Sequence, residues 1–373
     1  MKICIVSYLY PNKYSSSDQV FVKMLVDEFA RQGHDCVVVS PFNTLHYRHI
    51  SKESYYYEIE GNKVKVICPN YLSVSNIRIG KYNVSEFLHK HAIERALNRL
   101  DFKPDVIYCH FWKQGYKSYN YAKKHNIPLV IASGECDLHI NNNDGKLNSF
   151  VEYVKAVVCV STKNRDESID YKLTSEDKCA VFPNSIDENL FKLLDKEDCR
   201  KKLGLPQGKF IVAFVGWFAN RKGSKRVSDA ISRIKTNDVY SLFIGSGNDL
   251  PECNNVLFTG KVDHDQLPLF LNAADAFVLP TLQEGCCNAI IEAMACGLPI
   301  VSSNLPFNWD VLNSKNSIMI DPMDIDAISE AIIQLKNNNA YRESIRNAVI
   351  NSAKGLTIKE RAKNIIAFIQ DKI

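Results

Sequence analysis

The sequence lacks any long apolar stretch. No run within its 373 residues approaches the roughly 20 apolar residues that a membrane-spanning helix needs. At the N-terminus, Lys2 is followed by the short apolar run 3–6, which is too short for the apolar region of a signal peptide. We therefore expect a soluble, cytoplasmic protein.

Recognisable zinc or disulfide spacings are also missing. The 12 cysteines include no C-x-x-C pair and no Cys/His spacing of the zinc type. Several of them, such as Cys4, Cys109 and Cys159, lie in apolar runs, where cysteine behaves as a small buried hydrophobe. Reduced thiols are the expected state, as in cytosolic proteins generally.

Two further absences narrow the function. Residues 7–18, which follow the first apolar run, contain no glycine, whereas a dinucleotide-binding fold needs G-x-G-x-x-G at this place. No block of basic residues is present, so a nucleic-acid partner is not expected. A dinucleotide-dependent oxidoreductase is therefore the least favoured enzyme class.

The net charge of +4 is unevenly distributed. Residues 1–183 hold 24 basic and 20 acidic side chains, whereas residues 184–373 hold 22 of each. The excess in the first half predicts peripheral contact with an anionic membrane or an acidic acceptor. Ordinary scatter of charge is the alternative interpretation.

Apolar runs and helical patterns alternate along the whole chain. Its length suits two domains of roughly 150 to 200 residues each. Continuous apolar runs are typical of parallel strands buried on both faces. They occur at 3–6, 36–39, 106–109, 127–132, 156–160, 210–215 and 276–279. This alternation predicts an α/β protein with two doubly wound domains.

Residues 276–304 contain the clearest unit. An apolar run is broken by Pro280, a helix-compatible segment follows Gly285, and Gly297 ends that segment before the next apolar run. This order predicts one βαβ unit. Its first loop is expected outside the carboxyl ends of the strands, where open α/β folds bind ligands.

Two carboxylates mark this unit. Glu292 follows Glu284 by about two helical turns, so both side chains can face one cleft. The adjacent helix N-terminus offers backbone N–H groups and partial positive charge to a phosphate. Carboxylates beside such a site suit ribose or sugar hydroxyls. The alternative is that Glu292 is a solvated helix residue and Glu284 a first-turn partner of the helix dipole.

The stretch resembles the retaining GT-B glycosyltransferases of family 4, whose signature is E-x7-E followed by A-M-A-x-G-x-P. Here Glu284 and Glu292 are followed by Ala-Met-Ala-Cys-Gly-Leu-Pro at 293–299. The resemblance implies two Rossmann-like domains facing a central cleft. It implies that Glu292 binds the nucleotide ribose and that Glu284, as a catalytic candidate, contacts the donor sugar. Further donor contacts are implied at Gly285, Cys286, Cys287 and Asn288.

A second loop resembles the family's G-R-L-x-x-x-K-G stretch, which binds the donor diphosphate. Gly216, Lys222 and Gly223 match it, but Trp217 occupies the position of the family arginine. We therefore expect Arg221 to supply the second positive charge, the alternative being a solvated first-turn arginine. Further along, Gly245 begins a G-x-G that resembles another donor-binding turn of the family.

The first half resembles the family more loosely. His110 ends a strand-like run in the position of a family histidine, and it is either a catalytic candidate or a plain strand-end histidine. At 133–137 the family's H-G-x-D is replaced by a serine-containing stretch that keeps Gly134 and Asp137, which we expect to bind the acceptor. Ser16 and Ser17 stand where family members often have paired glycines, and they are acceptor-side candidates.

Residues 45–83 are harder to interpret. They include Tyr55-Tyr56-Tyr57 and a short strand-like run at 63–67. A polar, aromatic excursion of this kind suits an acceptor site. Exposed tyrosines on an ordinary loop are the alternative.

The resemblance implies a domain boundary near residue 190. An acceptor-side domain would span 1–190, a donor-binding domain 191–356, and a terminal helix at 357–373 would cross back onto the first domain. The expected reaction moves a sugar from a nucleotide-diphosphate sugar to a hydroxyl of a glycan or lipid-linked acceptor, with retention of configuration. No metal or other cofactor is expected, because no D-x-D with metal-like surroundings occurs and the family needs none. A non-catalytic sugar-nucleotide-binding protein and a GT-B epimerase are the alternatives.

Overall fold

A computed structural model describes residues 1–12, 19–45, 54–73, 77–80, 82–138, 140 and 145–373. The chain forms two compact units, and we describe each by itself. The first contains Met1–Phe182 and Arg361–Ile373, and the second contains Pro183–Glu360.

Helices and strands alternate over most of the described ranges, although several strands follow one another at 35–83 and three helices follow one another at 325–372. The strands are β1 Lys2–Val6, β2 Asp35–Val39, β3 Phe42–Asn43, β4 Ser54–Ile59, β5 Asn62–Ile67, β6 Asn70–Tyr71, β7 Arg78–Ile79, β8 Tyr82–Asn83, β9 Val106–His110, β10 Leu129–Ser133, β11 Val154–Cys159, β12 Cys179–Val181, β13 Phe210–Val215, β14 Val239–Ile244, β15 Val256–Gly260, β16 Ala276–Leu279, β17 Ile300–Ser303 and β18 Ser317–Ile320. The helices are α1 Val20–Arg31, α2 Val84–Leu97, α3 Trp112–His125, α4 Leu147–Tyr153, α5 Thr162–Asp170, α6 Lys196–Leu203, α7 Ser224–Arg233, α8 Leu267–Ala273, α9 Asn288–Ala295, α10 Ile325–Asn337, α11 Asn339–Ala353 and α12 Ile358–Lys372.

The sheet of the first unit has the order β12-β11-β10-β9-β1-β2-β5-β4. Neighbouring strands are parallel apart from β4 and β5, which form an antiparallel hairpin at the edge. Residues 3–6 of the central strand β1 are fully buried, as their continuous apolar run predicts. Because β1 lies between β2 and β9, the strand order reverses here. This reversal opens a crevice at the carboxyl edge.

The tyrosine-rich stretch belongs to the edge hairpin and not to a loop. Tyr57 lies on β4, and its hydroxyl donates to Asp27 Oδ1 at 2.7 Å and lies 2.6 Å from the hydroxyl of Tyr10. Tyr55 donates to the backbone oxygen of Pro11 at 2.9 Å. These hydroxyls hold the hairpin onto the first unit, whereas Tyr56 remains exposed.

The second unit contains a six-stranded parallel sheet with the order β15-β14-β13-β16-β17-β18. The strand order reverses between β13 and β16, so the loops after these two strands meet at one edge. The predicted unit at 276–304 is confirmed as β16, α9 and β17. Helix α9 ends at Ala295. Just beyond it, Gly297 has a φ of 71° in the left-handed region, and Leu298 N donates back to Ala293 O at 3.0 Å.

The last helix, α12, begins in the second unit and ends in the first. The ring of Phe368 lies 6.0 Å from that of Phe182. In the described part of the chain, no helix combines the length and apolar character needed to cross a membrane.

Candidate active site

The loops that follow β13 and β16 are joined by backbone hydrogen bonds. Leu282 N donates to Arg221 O at 2.8 Å, and the hydroxyl of Thr281 donates to the same oxygen at 3.2 Å. The sheet brings the strand ends together because β13 and β16 are neighbours. The loop at 216–223 and the loop at 280–287 therefore form one surface.

A buried arginine that the sequence analysis missed also joins these loops. Arg226 donates through Nη1 to both Asn220 O and Asn220 Oδ1 at 2.8 Å, and through Nη2 to Pro280 O at 2.8 Å. It lies in the first turn of α7, and its side chain is buried. Its position three residues after Gly223 was the available signal, but a first-turn arginine is usually assumed to be solvated.

Glu284 lies at the centre of this surface and is only 7% exposed. Its Oε1 accepts hydrogen bonds from Thr281 Oγ1 and Arg221 Nη1, both at 2.9 Å, and forms an ion pair with Lys222 Nζ. Arg221 Nη1 also donates to Gln283 O at 2.5 Å. A buried carboxylate held by two cations and a hydroxyl is fixed in orientation.

The surroundings of Lys222 shift the pKa of its ammonium group. Burial opposes its charge, but the ion pair with Glu284 outweighs that effect, and the pKa of Lys222 lies above its usual value. Its Nζ lies 3.8 Å from Cys287 Sγ. Burial raises the pKa of Cys287 to about 11, so the thiol is neutral at physiological pH. The site therefore presents a charged lysine beside an uncharged thiol.

Close backbone packing explains why glycine is needed at two of the predicted donor-site positions, 245 and 223. Gly245 has a φ of 149°, and a Cβ on it would lie 1.9 Å from the carbonyl oxygen of Gly216. Gly223 has a φ of 82°, and a Cβ on it would lie 2.9 Å from Pro280 O. Side chains at these positions would separate the loops that carry Lys222.

The turn before α9 is fastened by Asn184, which the sequence analysis did not single out. Its Nδ2 donates to Cys286 O at 3.0 Å and to Asn288 Oδ1 at 2.8 Å. Gly285 and the two cysteines beside it are buried. The predicted donor residues 285–288 thus lie in a fixed turn directly after Glu284.

Glu292 has a different partner. Its Oε1 lies 3.0 Å from His264 Nε2, and its side chain is 14% exposed. The sequence analysis missed His264 because the loop between β15 and α8 has no recognisable pattern. The two carboxylates of the signature are thus held separately, Glu284 by Arg221 and Lys222, and Glu292 by His264.

In the first unit, His110 ends β9 at the crevice edge but is buried. Its ring lies among aromatic rings, with centroids 5.2 Å from Tyr108 and 6.2 Å from Phe21. Burial, aided by Arg361, lowers the pKa of His110 to about 3. Its Nε2 has no hydrogen-bond partner among the described residues. His110 is therefore a neutral imidazole, and its catalytic role stays a prediction.

The stretch at 133–137 follows β10. Ser133, in the place of the family histidine, is fully buried and accepts a hydrogen bond from Trp112 Nε1 at 3.1 Å. Glu135 accepts from Trp112 N at 2.7 Å and from Gly134 N at 3.0 Å. Burial raises the pKa of Glu135 to about 7. A carboxyl group that titrates near neutral pH therefore lies at the start of α3.

A cavity of about 320 Å³ lies beside Glu135 within the first unit. Asp137, predicted to bind the acceptor, is among its lining residues, whereas Ser16 and Ser17 lie outside the described residues. Buried Gln114 presents an Oε1 without a hydrogen-bond partner in the described part of the chain. The lining residues are Tyr8, Gln19, Glu86, Phe111, Lys113, Gln114, Lys117, Glu135 and Asp137.

Within the ranges that the structure describes, no group of three or more His, Cys, Asp or Glu side chains is arranged to hold a metal ion. The positive charge near Glu284 comes from Lys222 and Arg221.

Comparisons with known proteins agree with this geometry. Two family models match the chain: "Glycosyltransferase Family 4" over residues 19–190 and "Glycosyl transferases group 1" over residues 195–352. The putative teichuronic acid biosynthesis glycosyltransferase TuaC of Bacillus subtilis is 26% identical over 92% of this chain and 92% of its own length. An Escherichia coli galactosyltransferase, named as UDP-Gal:alpha-D-GlcNAc-diphosphoundecaprenol alpha-1,3-galactosyltransferase, is 26% identical over 70% of this chain and 74% of its own length.

Solved structures share the fold at low sequence identity. Sucrose-phosphate synthase from Thermosynechococcus elongatus superposes with a TM-score of 0.81 at 16% identity, over 100% of this chain and 99% of that one. Anabaena HepE in complex with UDP superposes with a TM-score of 0.76 at 15% identity, over 100% of both chains. With its two parallel-sheet units and the signature at Glu284 and Glu292, this chain belongs to the GT-B glycosyltransferases of family 4, the glycosyl transferases group 1.

Proposed function

We propose that this protein is a retaining hexosyltransferase that moves a sugar from a nucleoside-diphosphate sugar to a hydroxyl of a glycan or lipid-linked acceptor. The observation that carries the proposal is the convergence of Lys222 and Arg221 on Glu284 where the strand order reverses between β13 and β16. It combines fixed positive charge for a departing diphosphate with a carboxylate for sugar hydroxyls.

The cations have the main catalytic task. Cleavage of the bond between the sugar and the diphosphate leaves negative charge on the departing oxygen, and preorganised cations stabilise that charge. Glu284 orients both Lys222 and Arg221. We propose that the diphosphate forms ion pairs with Lys222 and Arg221, in partial competition with Glu284. We also propose that no divalent metal is required.

Glu284 suits positioning better than nucleophilic attack. Its Oε1 already accepts hydrogen bonds or an ion pair from three side chains, and these interactions lower the nucleophilicity of a carboxylate. We propose that Glu284 binds hydroxyls of the donor sugar while the acceptor attacks from the face that the diphosphate leaves. Retention of configuration follows from attack on that face.

The relatives support the substrate classes. The Escherichia coli relative is named for a UDP-galactose donor and a diphosphoundecaprenol-linked acceptor. Anabaena HepE has been solved with UDP-glucose. We propose a UDP-sugar donor here, with the acceptor in the cavity beside Glu135. A lipid-linked acceptor would bring the chain to a membrane, and the positive excess in residues 1–183 suits an anionic one.

The test is a transfer assay with a panel of nucleotide sugars, carried out in EDTA and again with magnesium, followed by NMR of the product. The proposal expects a product whose new linkage keeps the donor's anomeric configuration, formed at the same rate in EDTA. An inverted product, or a strict need for magnesium, would contradict it. Nucleotide-sugar binding without turnover of any acceptor would favour a non-catalytic binding protein.

A further inference from the structure

The loop between β15 and α8 places a histidine against the second carboxylate of the signature. His264 Nε2 lies 3.0 Å from Glu292 Oε1. The side chains are 31% and 14% exposed, so the pair lies at the surface without being freely solvated. A pair with this shielding retains more of its interaction energy than an exposed one.

The imidazole also packs against an aromatic ring. The ring of Phe191 lies 5.1 Å from that of His264 in an edge-to-face arrangement. Phe191 itself is 2% exposed, so it cannot move without opening the core. A rigid ring therefore fixes His264, and His264 in turn fixes the plane of the Glu292 carboxylate.

We propose that His264 is a positioning residue for the donor, which holds Glu292 so that its second oxygen accepts a hydrogen bond from a ribose hydroxyl. This inference rests on the proposed function, since it assumes a nucleoside-diphosphate donor. With Oε1 engaged by His264, Oε2 points in one direction only. A carboxylate with a fixed direction discriminates between a ribose and a 2′-deoxyribose better than a freely rotating one.

Charge adds a dependence on pH. The charged groups facing His264 are Glu292 on α9, Asp187 on the segment after β12, and its own neighbour Asp265. Burial lowers the pKa of His264, but these carboxylates outweigh burial, and the pKa lies above its usual value. The imidazolium holds Glu292 more firmly than the neutral ring does, so donor affinity should fall as the pH rises through this pKa.

The experiment compares three variants with the wild-type protein. Donor KM, kcat and the affinities for ribo- and 2′-deoxyribo-nucleoside diphosphates are measured from pH 6 to pH 9. For His264→Ala we expect a KM about tenfold higher, because a hydrogen bond to a charged group is lost, with kcat within about twofold of wild type. This variant should also lose most of the preference for ribose.

His264→Gln supplies the conservative variant. Its amide nitrogen reaches about as far as Nε2 and donates a hydrogen bond at every pH. We expect it to recover most of the affinity while its KM no longer depends on pH. The matched control is His91→Ala, which removes another histidine beside a glutamate, since His91 Nδ1 lies 3.4 Å from Glu94 Oε2 on α2. That variant should behave as wild type.

The outcomes separate the two proposals. If the wild-type protein binds no nucleoside diphosphate, the proposed function fails. If it binds and prefers ribose, but a folded His264→Ala keeps the same KM and the same preference, the positioning role is wrong. Unchanged pH dependence in His264→Gln would also overturn it.

Discussion

Lys222 and Glu284 form an ion pair across two loops that follow neighbouring strands of the second unit. Oε1 of Glu284, which pairs with Lys222, also accepts a hydrogen bond from Arg221 at 2.9 Å. The pair therefore connects the loop at 216–223, proposed to bind the diphosphate, with the loop at 280–287, proposed to bind the sugar. Negative charge on an incoming diphosphate must compete with Glu284 for both cations.

This competition gives a prediction for Glu284→Gln. Without the carboxylate charge of Glu284, the positive charges of Lys222 and Arg221 are no longer partly neutralised within the protein. The affinity for a free nucleoside diphosphate should therefore rise several-fold. Sugar transfer should fall by about 100-fold or more, because the donor sugar loses a fixed acceptor of hydrogen bonds. Calorimetric titration and the transfer assay measure the two effects. A parallel loss of diphosphate affinity and transfer would show that Glu284 does not oppose the cations.

Arg226 should contribute mainly to stability. Arg226→Ala leaves the carbonyl oxygens of Asn220 and Pro280 without their buried donor, and we expect a loss of about 2–3 kcal/mol in the free energy of unfolding. Urea denaturation measures this quantity. Arg233→Ala on the same helix is the control, because Arg233 pairs with Asp326 at the exposed surface and should contribute less than about 1 kcal/mol. Equal effects of the two substitutions would contradict the buried role of Arg226.

Gly245→Ala should weaken donor binding from a distance. The new methyl group would overlap the carbonyl oxygen of Gly216, so the loop leading to Lys222 must move. Gly355→Ala is the control, because the nearest atom to its Cβ is 3.8 Å away. We expect a lower melting temperature and a donor affinity reduced by about tenfold for Gly245→Ala alone. Normal binding by this variant would show that the loop tolerates the displacement.

Glu135 makes the stability of the protein depend on pH. Burial raises the pKa of its carboxyl group in the folded protein to about 7, above the value of about 4.3 expected in the unfolded chain. The stabilisation from the protonated form is complete below the unfolded pKa and is lost as the pH rises through the folded one. Stability should therefore fall between about pH 4.5 and pH 7, by an amount on the order of 2 kcal/mol.

The variant Glu135→Gln removes this titration. Its unfolding free energy should vary less with pH over that interval than that of the wild-type protein. Exposed Glu152→Gln in the same unit makes the same chemical change and should keep the wild-type slope. Denaturation curves at a series of pH values give the unfolding free energy of each protein as a function of pH. Parallel slopes for wild type and Glu135→Gln would show that another group titrates.

Local sequence patterns determined how much of the fold was predictable. The unit at 276–304 was predicted because its strand, helix and glycine stop are all local signals, and Gly297 does adopt the left-handed conformation. Lys222 and Glu284 were identified through the resemblance to family motifs. Composition and local patterns do not indicate that these two residues, which are distant in the sequence, lie together in the fold. The strand-like run predicted at 63–67 is confirmed as β5. Its pairing with β4 was not predicted, because the β4 tyrosines are anchored by Asp27 and Pro11, which lie far away in the sequence.

The remaining parts of the site depend on tertiary contacts. His264 lies in a loop without periodicity, and only the folded second unit brings it to Glu292. Ser133, in the place of the family histidine, is buried against Trp112, the first residue of α3, whose Nε1 donates to its hydroxyl. Ser133 is therefore not among the residues that line the cavity. The raised pKa of Glu135 likewise depends on burial that appears only after folding.

The central claim is that Lys222 binds the donor diphosphate, and calorimetric titration in EDTA tests it most directly. Wild type, Lys222→Met and Lys225→Met would each be titrated with a nucleoside diphosphate and with the corresponding nucleoside. Lys225 is an exposed cation in the first turn of α7, just after the loop that holds Lys222, so its substitution is matched in charge. We expect Lys222→Met to lose about 100-fold in affinity for the diphosphate and little for the nucleoside, while Lys225→Met binds both as wild type does. Diphosphate binding of normal affinity by a folded Lys222→Met would contradict the account.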